Sequence, residues 1–78
     1  MKVEFDRHAI RRMKERRITD VEVKLTVEHP EYLEQTIKGR INAFKQIDKR
    51  FLRVTYRRDG DGILVITAVI RRKPFKRR

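Results

Sequence analysis

A chain of 78 residues makes one small domain and has no room for a second. It carries 22 Lys and Arg against 11 Asp and Glu, a net charge of +11, and it has no Cys and two His. These facts exclude a disulfide framework and a thiol nucleophile, argue against a structural zinc site, and leave no apolar run near the ~18 residues that a membrane span requires.

The N-terminus has no hydrophobic leader segment, so the chain reads as a cytoplasmic single domain over residues 1–78. Its charge points to a polyanionic partner. Nucleic acid is the commonest polyanion in a cell, and cations on phosphates gain entropy from released counterions. Interleaved acids would make the charge a merely solubilising coat, but five of the eleven acids fall between residues 20 and 34.

The first predicted element is a helix through HAIRRMKERRIT, His8 to Thr19. Asp6 is placed to cap it by accepting from free backbone N–H groups. Ala9, Ile10 and Met13 form an apolar stripe. His8, Arg12 and Arg16 make their own i, i+4 row bordering that stripe, where a cleft against a neighbouring element can form. The next segment, VEVKLTV from Val21 to Val27, alternates apolar and polar like a strand. Thr19, Asp20 and Glu22 nonetheless read as a helix start, and His29-Pro30 as a stop.

From Tyr32 the chain reads as strands. YLEQTI leads to a turn at Lys38-Gly39-Arg40, INAFKQI to a turn around Asp48-Lys49-Arg50, and FLRVTYRR to DGDG at Asp59–Gly62, a strong hairpin signal. ILVITAVI follows. Setting Ile47 opposite Leu52 and Arg58 opposite Ile63 puts Ala43, Ile47, Leu52, Val54, Tyr56, Val65 and Val69 on a core face, with Lys45 on the same parity. The other face then carries Gln46, Arg53, Thr55 and Arg57 beside Leu64, Ile66, Ala68 and Ile70. An apolar strip flanked by arginines is a docking surface rather than an ordinary solvent face. A bulge would swap these parities. The tail from Arg71, RRKPFKRR, has six basic residues in eight and reads as a basic arm or a solubilising end.

The pattern His8-Ala9, Arg12-Met13, Arg16, Ile18-Thr19, then Gly39-Arg40 before VTYRR and ILVITAVI, resembles the small uncharacterised domain family numbered 4258. That family looks related to the RelE/ParE-like toxin superfamily. The resemblance covers residues 8 to about 70 and implies an α+β fold, with two N-terminal helices packed on one face of a curved antiparallel sheet of about four strands. It turns VEVKLTV from strand to helix. It also implies an RNA-directed toxin-like protein, a metal-independent endoribonuclease of a toxin–antitoxin pair. The alternatives are a non-catalytic RNA- or ribosome-binding module and a gyrase-inhibitor-like interaction domain. Fold alone does not decide between them.

Metal-free RNA cleavage needs a base, an acid and fixed cations on the phosphorane. His8 has an imidazole suited to acid or base work. Arg12 and Arg16 are candidates to clamp phosphate oxygens, and Tyr56 to stack on a base or donate a proton. Arg53, Arg57, Lys45, Arg71 and Arg72 are the candidate nucleic-acid contacts. Bland roles stand beside each: a surface histidine, arginines paired with Glu15 or Glu22, a core tyrosine, a rim lysine. The expected partners are RNA or the ribosome, an acidic antitoxin-like protein, and a second copy of the chain in a homo-oligomer. No membrane, cofactor or metal partner is expected.

Overall fold

The computed structural model describes residues 2–36 and 38–72. The elements run β1 (Val3–Phe5), α1 (Arg7–Arg16), α2 (Asp20–Glu28), β2 (Tyr32–Gln35), β3 (Arg40–Ile47), β4 (Arg50–Asp59) and β5 (Gly62–Arg71). The strands form one five-stranded sheet in the order β1-β5-β4-β3-β2. Neighbours from β2 to β5 are antiparallel, and β1 pairs with β5 in parallel.

The sheet is therefore mixed and five-stranded, which corrects the expected antiparallel sheet of about four strands. The class remains α+β. The missed strand is VEF, three residues before the Asp6 cap and too short to show a period. It is held at both ends by backbone bonds, Ile63 N–H to the Lys2 carbonyl and Asp6 N–H to the Val65 carbonyl, each 2.9 Å. Gly62 makes this approach feasible, because a Cβ there would overlap the Lys2 carbonyl oxygen.

Asp6 caps α1 as its sequence position suggests, accepting from His8 N–H at 3.3 Å. Ala9 and Met13 face the core, but Ile10 is half exposed and leaves the expected stripe. The helix ends at Arg17, which takes a left-handed φ of 54° and lets the buried Ile18 bond back to the Met13 carbonyl.

VEVKLTV is helical. A full capping box opens α2: Glu22 N–H donates to the Thr19 hydroxyl at 3.1 Å, and Thr19 N–H donates to the Glu22 carboxylate at 2.9 Å. The buried positions are Val23, Thr26 and Val27, at helical spacing. Val21 and Leu25, two members of the alternating apolar set, stand exposed. Thr26 is fully buried, and its hydroxyl donates to the Glu22 carbonyl one turn back.

Both helices pack on one face of the sheet, against Ile41, Ala43, Leu52, Val54, Tyr56, Ile63, Val65 and Ala68. The hairpin turns are tight. Ile47 opposes Arg50 rather than Leu52, with Asp48 at φ 55°, and Asp59 opposes Gly62, with Gly60 at φ 64°. The register of β3 on β4 is thus shifted by two residues from expectation, which preserves the faces. In β5 the expected faces hold only as far as Val65. There Tyr56 pairs with Val65 but Thr55 pairs with Thr67, so Ile66 is the extra residue of a bulge. The bulge swings Ala68 and Ile70 onto the helix side and Val69 onto the open side.

Candidate nucleic-acid interface

Cross-strand register arranges the open face in rows. One row runs Val69, Arg53, Phe44, Tyr32; the next runs Thr67, Thr55, Asn42, Glu34. Flanking these are Arg71, Phe51 and Gln46 at one end, and Leu64, Arg57 and Arg40 at the other. The second row is wired by hydrogen bonds: the Thr55 hydroxyl donates to the Asn42 carbonyl oxygen at 2.7 Å, and the Asn42 amide donates to Glu34 at 3.0 Å. It fixes the middle of the face and gives it one carboxylate.

The first row is aromatic and cationic. The Tyr32 and Phe44 ring centroids lie 5.5 Å apart, and the Arg71 guanidinium sits 5.7 Å above the Phe44 ring. Phe44 is buried as the floor of this cluster, while Tyr32, Phe51, Arg53 and Val69 stay half-buried. Arg53 Nε is closed off from solvent with no acceptor among the described residues. A buried donor left this way costs about 1–3 kcal/mol.

Cations beneath the helices and cations on the open face differ in their partners, while the exposed Arg7, Arg11 and Lys14 on α1 and Arg58 near the end of β4 also have no ion pair among the described residues. Beneath the helices, Arg16 donates to the Ala68 carbonyl at 2.8 Å, and Lys45 to the His29 carbonyl at 2.8 Å. Arg50 donates to the Arg17 carbonyl at 3.1 Å and also binds the Glu22 carboxylate. These three tie α1 and α2 to the sheet. The Glu22 carboxyl feels burial, which pushes it up. The Arg50 hydrogen bond, the Thr19 backbone N–H, the Arg50 charge and the Thr19 hydroxyl together outweigh that, and hold it below the ordinary glutamate value. On the open side, Arg40, Arg53 and Arg57 have neither a carboxylate nor a carbonyl partner among the described residues.

The sequence candidates separate accordingly. Arg53, Arg57 and Arg71 share the open face, with Arg71 and Arg57 at its opposite ends. Lys45 shares the helix side and holds the end of α2. Arg72 is exposed beside the end of β5, and the tail beyond it lies outside the described residues. His8 and Arg12 sit on the exposed surface of α1, Arg12 paired with Glu15 at 3.2 Å. Arg16 is bound to β5, and Tyr56 is buried in the core between Ile41 and Val65. The His8–Arg12–Arg16 row and Tyr56 therefore do not converge on the open face. Among the described residues no three His, Asp or Glu side chains gather to hold a metal ion, and no helix is long and apolar enough to cross a membrane.

Sequence reasoning missed a second group at the Arg40–Arg57 end. Lys38, Arg40, Arg57 and Arg58 line a pocket of about 380 Å³, together with Gln35, Thr36, Gly39 and Ile41. The available signal was the basic residues of KGR and YRR, whose Arg40 and Arg57 a two-residue turn at Asp48-Lys49 brings side by side.

No curated protein and no solved structure matches the chain. Residues 5–70 match a family described as a domain of unknown function, DUF4258. That match reaches from the last residue of β1 into β5 and takes in both helices, so the chain belongs to the DUF4258 domain family.

Proposed function

We propose that this protein is RNA-directed and lays a single RNA strand across the open face of its sheet. The observation that carries the reading is that Arg53 and Arg57, without protein acceptors among the described residues, share one sheet face with the rings of Tyr32, Phe44 and Phe51. Arg16, Lys45 and Arg50 under the helices are committed to protein acceptors, and those on the open face are left for an outside anion. Phosphates are the anions such a row fits, because each neutralised phosphate releases counterions. The half-exposed rings of Tyr32 and Phe51 offer surfaces for unstacked bases, which favours a single strand over a duplex. Kinship with the RelE/ParE-like toxins is part of the proposal, supported by the two N-terminal helices packed on one side only.

The test is a gel shift of a mixed RNA in EDTA at low and raised salt, with strand lengths read on a denaturing gel. Binding that weakens with salt and with the paired change Arg53→Gln and Arg57→Gln, and persists in His8→Ala, supports an RNA-binding face. Fragments that vanish in His8→Ala would add the endoribonuclease step that the RelE-like resemblance implies. RNA that runs unshifted and intact at low salt would overturn the proposal.

A further inference from the structure

The Lys38–Arg40–Arg57–Arg58 pocket is more than an extension of the basic face. Arg40 and Arg57 are direct cross-strand neighbours. Like charges placed so are unfavourable unless an anion lies between them. Lys38 and Arg58 line the same pocket, which makes four cations, and among the described residues no carboxylate lines it. Asp59 and Asp61 are close in sequence, yet none of the four cations is ion-paired among the described residues.

The turn that builds the pocket is specific. Thr36 N–H and the Thr36 hydroxyl both donate to the Arg40 carbonyl, at 2.9 and 3.0 Å. Gly39 adopts φ 72°, with open space where a side chain would stand. This closes the loop tightly and holds Lys38 and Arg40 at one end of the sheet. At 380 Å³ the pocket falls in the range of small-ligand sites, large enough for a phosphate with part of its sugar and too small for a run of nucleotides.

We infer that this pocket is a phosphomonoester site holding the terminal phosphate of the RNA strand bound on the open face. The inference rests on the RNA reading of that face. A backbone diester carries one negative charge, whereas a terminal monoester approaches two and adds a further acceptor oxygen. Four cations without an ion-pair partner around one small pocket suit the second. Position agrees: Arg40 lies four residues along β3 from Phe44, about 13 Å, at the margin where a strand lying on the face would end.

The experiment measures binding of three single-stranded oligonucleotides of one sequence, bearing a 5′-phosphate, a 3′-phosphate or hydroxyls at both ends, by fluorescence anisotropy at fixed salt. A 5′-mononucleotide is titrated separately. One phosphorylated strand is expected to bind about tenfold tighter than the hydroxyl strand. The paired change Lys38→Gln and Arg58→Gln, at two exposed positions, should bring it down to the hydroxyl strand's affinity. Tyr32→Ala should weaken all three strands alike. Equal affinity for the three strands, or a preference that survives the Lys38 and Arg58 changes, would overturn the terminal site while leaving the RNA face standing. Failure of every strand to bind would overturn the face and the RNA-end assignment together. Mononucleotide binding in that case would assign the pocket to a free nucleotide instead.

Discussion

Arg16 reaches from the last turn of α1 to donate to the carbonyl of Ala68, 2.8 Å away on β5. β1 pairs with β5 only as far as Val65, so beyond that point no strand among the described residues covers this side of β5. The arginine supplies a donor where the sheet has ended. Its role is therefore structural, although sequence spacing grouped it with His8 and Arg12. Arg16→Ala is expected to lower stability by about 1.5 kcal/mol, and Arg16→Lys to recover part of it. The check is a urea titration in which the midpoint falls and the slope does not change. RNA affinity of the folded variant should match wild type. A variant of full stability without RNA binding would return Arg16 to the interface.

Glu22 ties the N-cap of α2, through Thr19, to β4, through Arg50, and its lowered pKa sets the direction of a pH effect. A carboxyl whose folded pKa lies below its unfolded value binds fewer protons when folded. Its stabilising contribution is complete above the ordinary value of 4.5 and is lost as pH falls through the lower folded value. Glu22→Gln preserves the capping geometry but removes the charge opposite Arg50. It should cost about 1 kcal/mol near neutral pH and little at strongly acid pH, where the wild-type carboxyl is protonated as well. Urea unfolding across that range measures both. A variant whose deficit is unchanged in acid would show that the ionised pair contributes nothing.

Two glycines separate space from backbone conformation. At Gly62 an added Cβ would meet the Lys2 carbonyl, whereas at Gly39 it would meet nothing and only the positive φ resists substitution. Gly62→Ala should cost about 1–3 kcal/mol, because β1 must move away from β5, and the Ile63 amide should lose protection from hydrogen exchange. Gly39→Ala should cost about 1 kcal/mol with Ile63 still protected. Equal exchange at Ile63 in both variants would contradict the close β1–β5 approach.

Local chemistry was legible where a few adjacent residues decide the outcome. Asp6, the Thr19–Glu22 box and the DGDG turn all act as their sequence positions indicate. The strand β1 was not legible, because three residues cannot display a period and its partner lies at the far end of the chain. Alternation misled over Val21–Val27, because the α2 capping box and the burial of Val23 and Val27 outweigh a pattern that two exposed apolar residues happen to complete. The Ile66 bulge reversed the faces of Ala68, Val69 and Ile70, and nothing in ILVITAVI marks the extra residue. In the candidate site, Arg53 and Arg57 follow from strand parity alone. The capture of Arg16 and Lys45 by distant carbonyls, and the meeting of Arg40 with Arg57, depend on tertiary distance and on a two-residue register shift.

The open face makes a quantitative prediction because its cations and its rings contribute differently. Arg53 and Arg57 act on phosphate charge, so replacing both with Gln should weaken binding of a hydroxyl-ended single strand. The slope of log affinity against log salt should fall by about 0.7 for each phosphate no longer neutralised. Tyr32 acts on a base. Tyr32→Ala should cost about 1–3 kcal/mol of binding while leaving the salt slope unchanged. His8→Ala and Arg12→Ala, on the exposed surface of α1, should alter neither quantity. Salt-titrated anisotropy with one labelled strand reads affinity and slope together. If the Arg53 and Arg57 changes leave the slope untouched while Arg12→Ala lowers it, the strand lies along α1 and the open face is not the RNA surface.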